Sequence, residues 1–174
     1  MTQNNLSIVT LNDLLDFDGR KFISAEIQLK KILPQWINLA GSVKLKTVLQ
    51  KYMDLVNEHI ENMQAFYEEE HINSLSLHNK IMEGFIQETE DKLQNCTDSA
   101  VKDACILAGI QSINHFKISI YGTAAAFADL LSLEKSSVVF HEASVNEKQI
   151  DDRLTQLAQF EINSKAKAPI ELTA

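Results

Sequence analysis

Apolar residues recur every three or four positions over four long stretches of the chain, the period of an amphipathic α-helix. The first stretch carries Leu14, Leu15, Phe22, Leu29, Leu33 and Trp36. Thr10-Leu11-Asn12-Asp13 ahead of it resembles a capping box, with Asp in place of Glu or Gln. Gly19 interrupts the stretch and is expected to bend it or split off a short first helix. Pro34 is expected to kink its last turn. Gly41-Ser42 reads as a stop followed by a new N-cap. A second helix over residues 43 to 69 follows, on the line Leu45, Leu49, Tyr52, Val56, Met63, Phe66.

Residues 71 to 79 read as a connection, and Glu68-Glu69-Glu70 as a solvated helix end. Ile81, Phe85 and Leu93 predict a shorter amphipathic helix, closed by a turn rich in capping residues at 95 to 99. The pattern then predicts a long helix over residues 100 to 131. One of its stripes is Ala104, Ala108, Gln111, His115, Ile118, Gly122; its neighbour is Leu107, Ile110, Asn114, Lys117, Tyr121. After a break at 132 to 136, a last helix is expected over residues 137 to 160. Val138, Glu142, Val145, Gln149 and Asp152 share one of its faces, with Ile150, Leu154 and Leu157 beside it.

Four long antiparallel helices, with a short one between the second and third, predict an all-α four-helix bundle. One domain over residues 10 to 162 is expected, with flexible ends at 1 to 9 and 163 to 174. Composition supports this. The 174 residues are 45% hydrophobic, with only five Gly and two Pro, which suits long helices and a sizeable single core. The formal net charge of −8 argues against nucleic acid and anionic lipid as partners. No run reaches about 18 apolar residues, so no membrane span is expected and a cytoplasmic location is the default. Cys96 and Cys105 lack the spacing of a zinc framework and read as reduced thiols, with Cys105 in the core.

Each bundle helix nevertheless brings a polar group to a face that should be buried: Glu26, His59, Asn114 with His115 and Lys117, and Glu142. His59 fills the missing step of the second helix's apolar line, either as a hydrogen-bonded core residue or as a metal ligand. Glu26 either points inward or sits at a boundary. Carboxylate di-metal bundles need this placement, because inward Glu and His groups must share two cations roughly 3.5 to 4 Å apart.

The chain resembles the YciF/YciE-type ferritin-like family. The signs are Ser24-Ala25-Glu26-Ile27-Gln28-Leu29, Met82-Glu83-Gly84-Phe85-Ile86, and Val101-Lys102-Asp103-Ala104 leading to His115 and Tyr121-Gly122-Thr123. Glu142, Glu147-Lys148 and Leu154-Thr155-Gln156-Leu157-Ala158 complete the series. The resemblance implies a ferritin-like bundle, a homodimer, a link to bacterial stress and a proposal of di-iron binding. It also exposes departures. Asn114-His115-Phe116-Lys117 stands where the family usually reads Glu-His-Tyr-Glu. Leu55 follows Asp54 where a second acid is usual, His59 stands where Gln is frequent, and Val145 replaces the last helix's second acid. Glu26 and Glu142 survive, with Asp54 as a candidate.

Two or three negative ligands and a nearby lysine suit two divalent cations poorly. Either Lys117 replaces the metal, neutralising Glu26, Glu142 or both with Asn114 and His59 completing the hydrogen bonds, or it snorkels to solvent. No cofactor is therefore expected, and the first functional expectation is a non-catalytic bundle with a structural, stress-associated or protein-binding role. The second is an iron-binding protein or ferroxidase-like oxidase holding iron or another divalent metal on Glu26, His59, His115 and Glu142. A third is a small-molecule pocket around Trp36, Tyr52 and Phe66. No nucleophile elbow or phosphate-binding Gly loop is present.

Overall fold

The computed structural model describes residues 7–69 and 77–167, so Glu70 of the expected helix end and most of the connection predicted at 71 to 79 lie outside the described residues. Helix α1 spans Leu11–Leu39, α2 Val43–Glu69, α3 Lys80–Asn95, α4 Ser99–Leu130 and α5 Glu134–Leu157. A π-helical turn, Ala158–Ile162, and a last turn, Asn163–Ala166, carry the chain beyond the expected helix end at residue 160. No strand occurs among the described residues.

Local chemistry sets the ends. The Thr10 hydroxyl accepts from the Asp13 amide at 3.1 Å, and Asp13 Oδ2 accepts from the Thr10 amide at 2.9 Å, closing the expected capping box. The Ser42 hydroxyl accepts from the Leu45 amide at 3.3 Å and caps α2. Asp103, buried on α4, pins the α1–α2 turn by accepting from the Gly41 and Ser42 amides at 2.7 and 2.9 Å. Neither Gly19 nor Pro34 divides α1. Gly19 instead admits the Tyr67 ring, since a Cβ there would stand 2.8 Å from the Tyr67 hydroxyl. The break after α4 is tight, with Ser132 at a positive φ of 56°.

Helix α1 packs between α2 and α4, and α5 between α2 and α4, giving a square bundle with α3 laid against α1 and α4. Neighbours run antiparallel. Glu26 meets Lys117 and Tyr121 across α1 and α4. Tyr52 meets Glu147 and Glu69 meets Lys135 across α2 and α5. The apolar core comes in two parts. One is built around Leu29, Leu33, Trp36, Leu49 and Leu107, the other around Phe22, Met63, Phe66, Ala124 and Phe140. Trp36 and Tyr52 are wholly enclosed, with the Trp36 indole donating to Glu90, and Phe66 lies in the other cluster. The three aromatics therefore do not frame a common pocket. Cys105 is half-buried rather than core, and both thiols are free.

Candidate functional site

Between the two apolar clusters lies a polar layer to which every long helix contributes. Glu26 comes from α1, Tyr52 and His59 from α2, Asn114, Lys117 and Tyr121 from α4, and Glu147 from α5; all are buried. On α2 and α4 the members repeat every three, four or seven positions, so that one face of each helix delivers them to the bundle axis.

Lys117 is the hub. Its Nζ stands 2.9 Å from Oε2 of Glu26 and 2.6 Å from Oε1 of Glu147, with the ammonium 4.8 Å from the centre of the Tyr52 ring. Solvent reaches neither the lysine nor either carboxylate. His59 Nδ1 lies 3.1 Å from Oε1 of Glu26 and 3.6 Å from Oε1 of Glu147. With carboxylates on that side, Nδ1 carries a proton and donates. The Tyr121 hydroxyl donates to Oε1 of Glu26. Tyr52 donates to Oε2 of Glu147 at 2.6 Å, and Asn114 Nδ2 donates to the same oxygen at 2.7 Å and to the Glu147 carbonyl at 3.0 Å.

These contacts keep the charges in place. Burial pushes the Glu26 carboxyl up, but the Lys117 charge, the bond and charge of His59 and the Tyr121 hydroxyl outweigh it and hold the group at about 2. Burial works against the Lys117 ammonium too, yet Glu147 and Glu26 raise it above the ordinary lysine range. Burial first, then the adjacent carboxylates, push Tyr52 and Tyr121 well above the ordinary phenol range, so both remain donors. Ionised carboxylates, a charged amine and neutral phenols are gathered around Lys117, while Asn114 Oδ1 and His59 Nε2 have no hydrogen-bond partner among the described residues.

Of the four residues expected to hold a metal, the structure brings Glu26 and His59 together and leaves His115 and Glu142 outside. His115 is exposed and pairs with Asp151 of α5 at 2.8 Å. Glu142 is exposed on the rim of a groove between α2 and α5. Of the residues expected to replace ligands, Asn114 and Lys117 lie in the layer, Leu55 is half-buried and Val145 is exposed. Asp54 is exposed beside Gln50. Lys117 does not snorkel, and its second carboxylate is Glu147 rather than Glu142.

The Glu142 expectation failed on register. The inner face of α5 is Phe140, Ala143, Ser144, Glu147, Leu154 and Leu157. Stepping back from Leu157 and Leu154 through Ile150 by threes and fours reaches Glu147, Ala143 and Phe140, a signal the sequence contained. His115 was misplaced because α4 is apolar nearly all round, so the small residues of its outer stripe resemble a core stripe. Tyr52 and Tyr121 stood on correctly placed faces, but nothing marked their hydroxyls as partners of the acids.

Among the described residues, Glu26, His59 and Glu147 form the one set of three metal-competent side chains whose donor atoms lie within 4.8 Å of one another. Two carboxylates and one imidazole, already countered by an internal ammonium, do not fit a di-iron centre, which needs several more negative ligands.

The fold and its carboxylate-bearing inner layer define a ferritin-like four-helix bundle. By a match over residues 10–167, the chain belongs to the family described as Domain of unknown function (DUF892). It is similar to Protein YciF of Escherichia coli K12, with 29% identity over 145 residues covering 83% of this chain and 87% of that protein. The crystal structure of the E. coli stress protein YciF superposes with a TM-score of 0.82 at 28% identity, over 92% of this chain and 100% of that one. YcfI from Rhodopseudomonas palustris shares the fold, with a TM-score of 0.83 and 24% identity over 89% and 98% of the two chains. So does a two-domain protein with DJ-1-like and ferritin-like domains from Anabaena variabilis. It gives a TM-score of 0.57 at 15% identity over 95% of this chain and 40% of that one. No helix among the described residues is long and apolar enough to cross a membrane.

Proposed function

We propose that the protein is a non-catalytic ferritin-like bundle in which the Lys117 ammonium takes the place of the metal, leaving a structural or stress-associated role. The carrying observation is the Lys117 Nζ at 2.9 and 2.6 Å from the buried pair of carboxylates. An ammonium there offsets one of the two negative charges of Glu26 and Glu147 and occupies the space between them. The stress association rests on similarity to E. coli YciF, described as a stress protein. The role needs no nucleic acid and no membrane. We propose a homodimer as its working form, with Leu130, which is exposed at the end of α4, in the contact.

The test is metal content. Protein made with added iron is compared with the variant Asn114→Glu/Lys117→Glu, which would return two carboxylates to the layer. The expected result is no stoichiometric iron in the natural chain and iron in the double variant. Stoichiometric iron in the natural chain defeats the reading. It would favour the alternative, a protein holding a single iron or other divalent cation on Glu26, His59 and Glu147. The closeness of those three donor sets is what supports that alternative.

A further inference from the structure

Away from the charged layer, both thiols of the chain line one open cavity where α3 gives way to α4, with Asp91, Lys92, Val101 and Ala104 around them. Cys96 is the C-cap of α3, and Cys105 stands on the second turn of α4, nine positions later. Gly109 brings no side chain to the point where α4 meets Thr89, so the two helices approach closely there. One turn nearer the connection, the Cys105 sulfur is aimed at α3 and lies 4.0 Å from the Thr89 carbonyl oxygen. The Cys96 thiol is its hydrogen-bond partner on the other side. Neither thiol is shut away, since each is half-buried.

The surroundings narrow what such a pair can do. Burial pushes the Cys105 thiol up, and the Cys96 thiol pushes the same way, against a smaller pull from the Lys92 ammonium. Among the described residues the one set of three metal-competent donors is Glu26, His59 and Glu147, so no third ligand joins the two sulfurs and the four ligands of zinc are not assembled. Two thiols in contact, carried on neighbouring elements and open to a small reagent, are what thiol–disulfide exchange requires.

We propose that Cys96 and Cys105 are a site of reversible oxidation, which closes an intrachain disulfide between α3 and α4 by exchange with a low-molecular-weight disulfide. The Cys96 thiolate attacks one sulfur of that disulfide. A mixed disulfide forms, and the first small thiolate leaves and takes up the proton that Cys96 gave to solvent. Cys105 then loses its proton, attacks the Cys96 sulfur and releases the second small thiol. Two protein thiols are oxidised and one small disulfide is reduced to two thiols. Cys105 acts second because burial and the Thr89 carbonyl hold its proton. The site shares no residue with the charged layer, so it stands whatever that layer holds.

The test uses the whole chain, equilibrated with mixtures of reduced and oxidised glutathione, quenched with iodoacetamide and weighed by mass spectrometry. The expected result is the loss of two hydrogens per chain with neither cysteine alkylated, and a single digestion product joining Cys96 to Cys105. On a denaturing gel without reductant the chain should run singly. The folded chain should hold the bridge in mixtures at least about tenfold more reducing than the same chain in urea does, because the fold keeps the thiols together. Cys105→Ser should instead retain one glutathione on Cys96, and Cys96→Ser should take up far less. Full alkylation of both thiols in the most oxidising mixture, or a bridge between two chains, overturns the inference. So does a bridge no more favoured in the folded chain than in urea, and equal glutathione uptake by the two variants overturns the order of attack.

Discussion

Lys117 and Glu147, thirty positions apart on antiparallel helices, meet at 2.6 Å in a place that solvent does not reach. The ammonium is also 2.9 Å from Glu26, so one cation joins three of the four long helices, and the His59 bond to Glu26 ties in the fourth. Two charges taken from water are costly, and their attraction returns that cost only when the remaining hydrogen bonds are made. Here Tyr52, Asn114, Tyr121 and His59 make them.

Lys117→Met should therefore destabilise the fold by about 3 to 5 kcal/mol, because it leaves two carboxylates buried without their cation. Glu26→Gln should cost less when introduced into Lys117→Met than into the natural chain. The coupling energy from the double-mutant cycle is expected at about 1 to 3 kcal/mol. Chemical denaturation of the four proteins measures it, and a coupling near zero would mean that the pair contributes nothing jointly.

The layer should give the protein a stability plateau bounded on both sides. Glu26 is held at about 2 in the fold against an ordinary 4.5. A depressed carboxyl contributes stability that is present above pH 4.5 and is lost as pH falls toward 2. Lys117, Tyr52 and Tyr121 are all raised in the fold. Their stability is fully present below their ordinary values, 10.5 for the lysine and 10.0 for the phenols, and is lost as pH rises through the folded ones. Denaturation midpoints across pH should fall at both ends. In Lys117→Met the acid fall should be shallower, since the ammonium is the leading group that lowers Glu26.

The same register argument separates two glutamates five positions apart on α5. Glu147 accepts from Tyr52 and Asn114 and pairs with Lys117, whereas Glu142 is exposed on the groove rim. Glu147→Gln should lower Tm by an amount on the order of 10 °C, as expected for a broken buried pair in a chain of this size. Glu142→Gln should leave Tm unchanged. Calorimetry of the two variants decides which face of α5 looks inward, and the reverse ranking would refute the register.

The bundle was legible because its helices are long, strongly periodic and punctuated by Thr10, Gly41-Ser42 and Asp98, which caps α4. The layer was legible where an amphipathic stripe fixed the inner face, at Glu26 and His59, while Asn114 and Lys117 stood out on α4 only as polar residues in an apolar run that also took in His115. Periodicity ranks faces by contrast, and contrast was missing on α4, where the outer stripe is also apolar. On α5, Val138 and Val145 offered a false stripe whose side chains are exposed. No periodic argument places a tyrosine hydroxyl, so the two phenols that complete the acids' shells emerged only from coordinates.

Helix α3 gives a prediction away from the charges. Gly109 on α4 faces Thr89 of α3, which is buried with its hydroxyl bonded to the Phe85 carbonyl at 2.8 Å. A Cβ at Gly109 would stand 2.7 Å from the Thr89 methyl and 3.1 Å from its Cβ, while also meeting the hydroxyl. Thr89 is β-branched, so turning its χ1 only exchanges one clashing group for another. Relief therefore requires the α3 and α4 backbones to part, against a core that is already close-packed. Gly109→Ala should cost about 1 to 3 kcal/mol despite the better helix propensity of alanine. Gly109→Ala combined with Thr89→Ala should recover most of that loss, because the second change removes the hydroxyl and the methyl, the two nearest atoms the new methyl meets, and leaves only the Cβ at 3.1 Å. If Gly109→Ala alone is as stable as the natural chain, the close approach of α3 to α4 at this point is wrong.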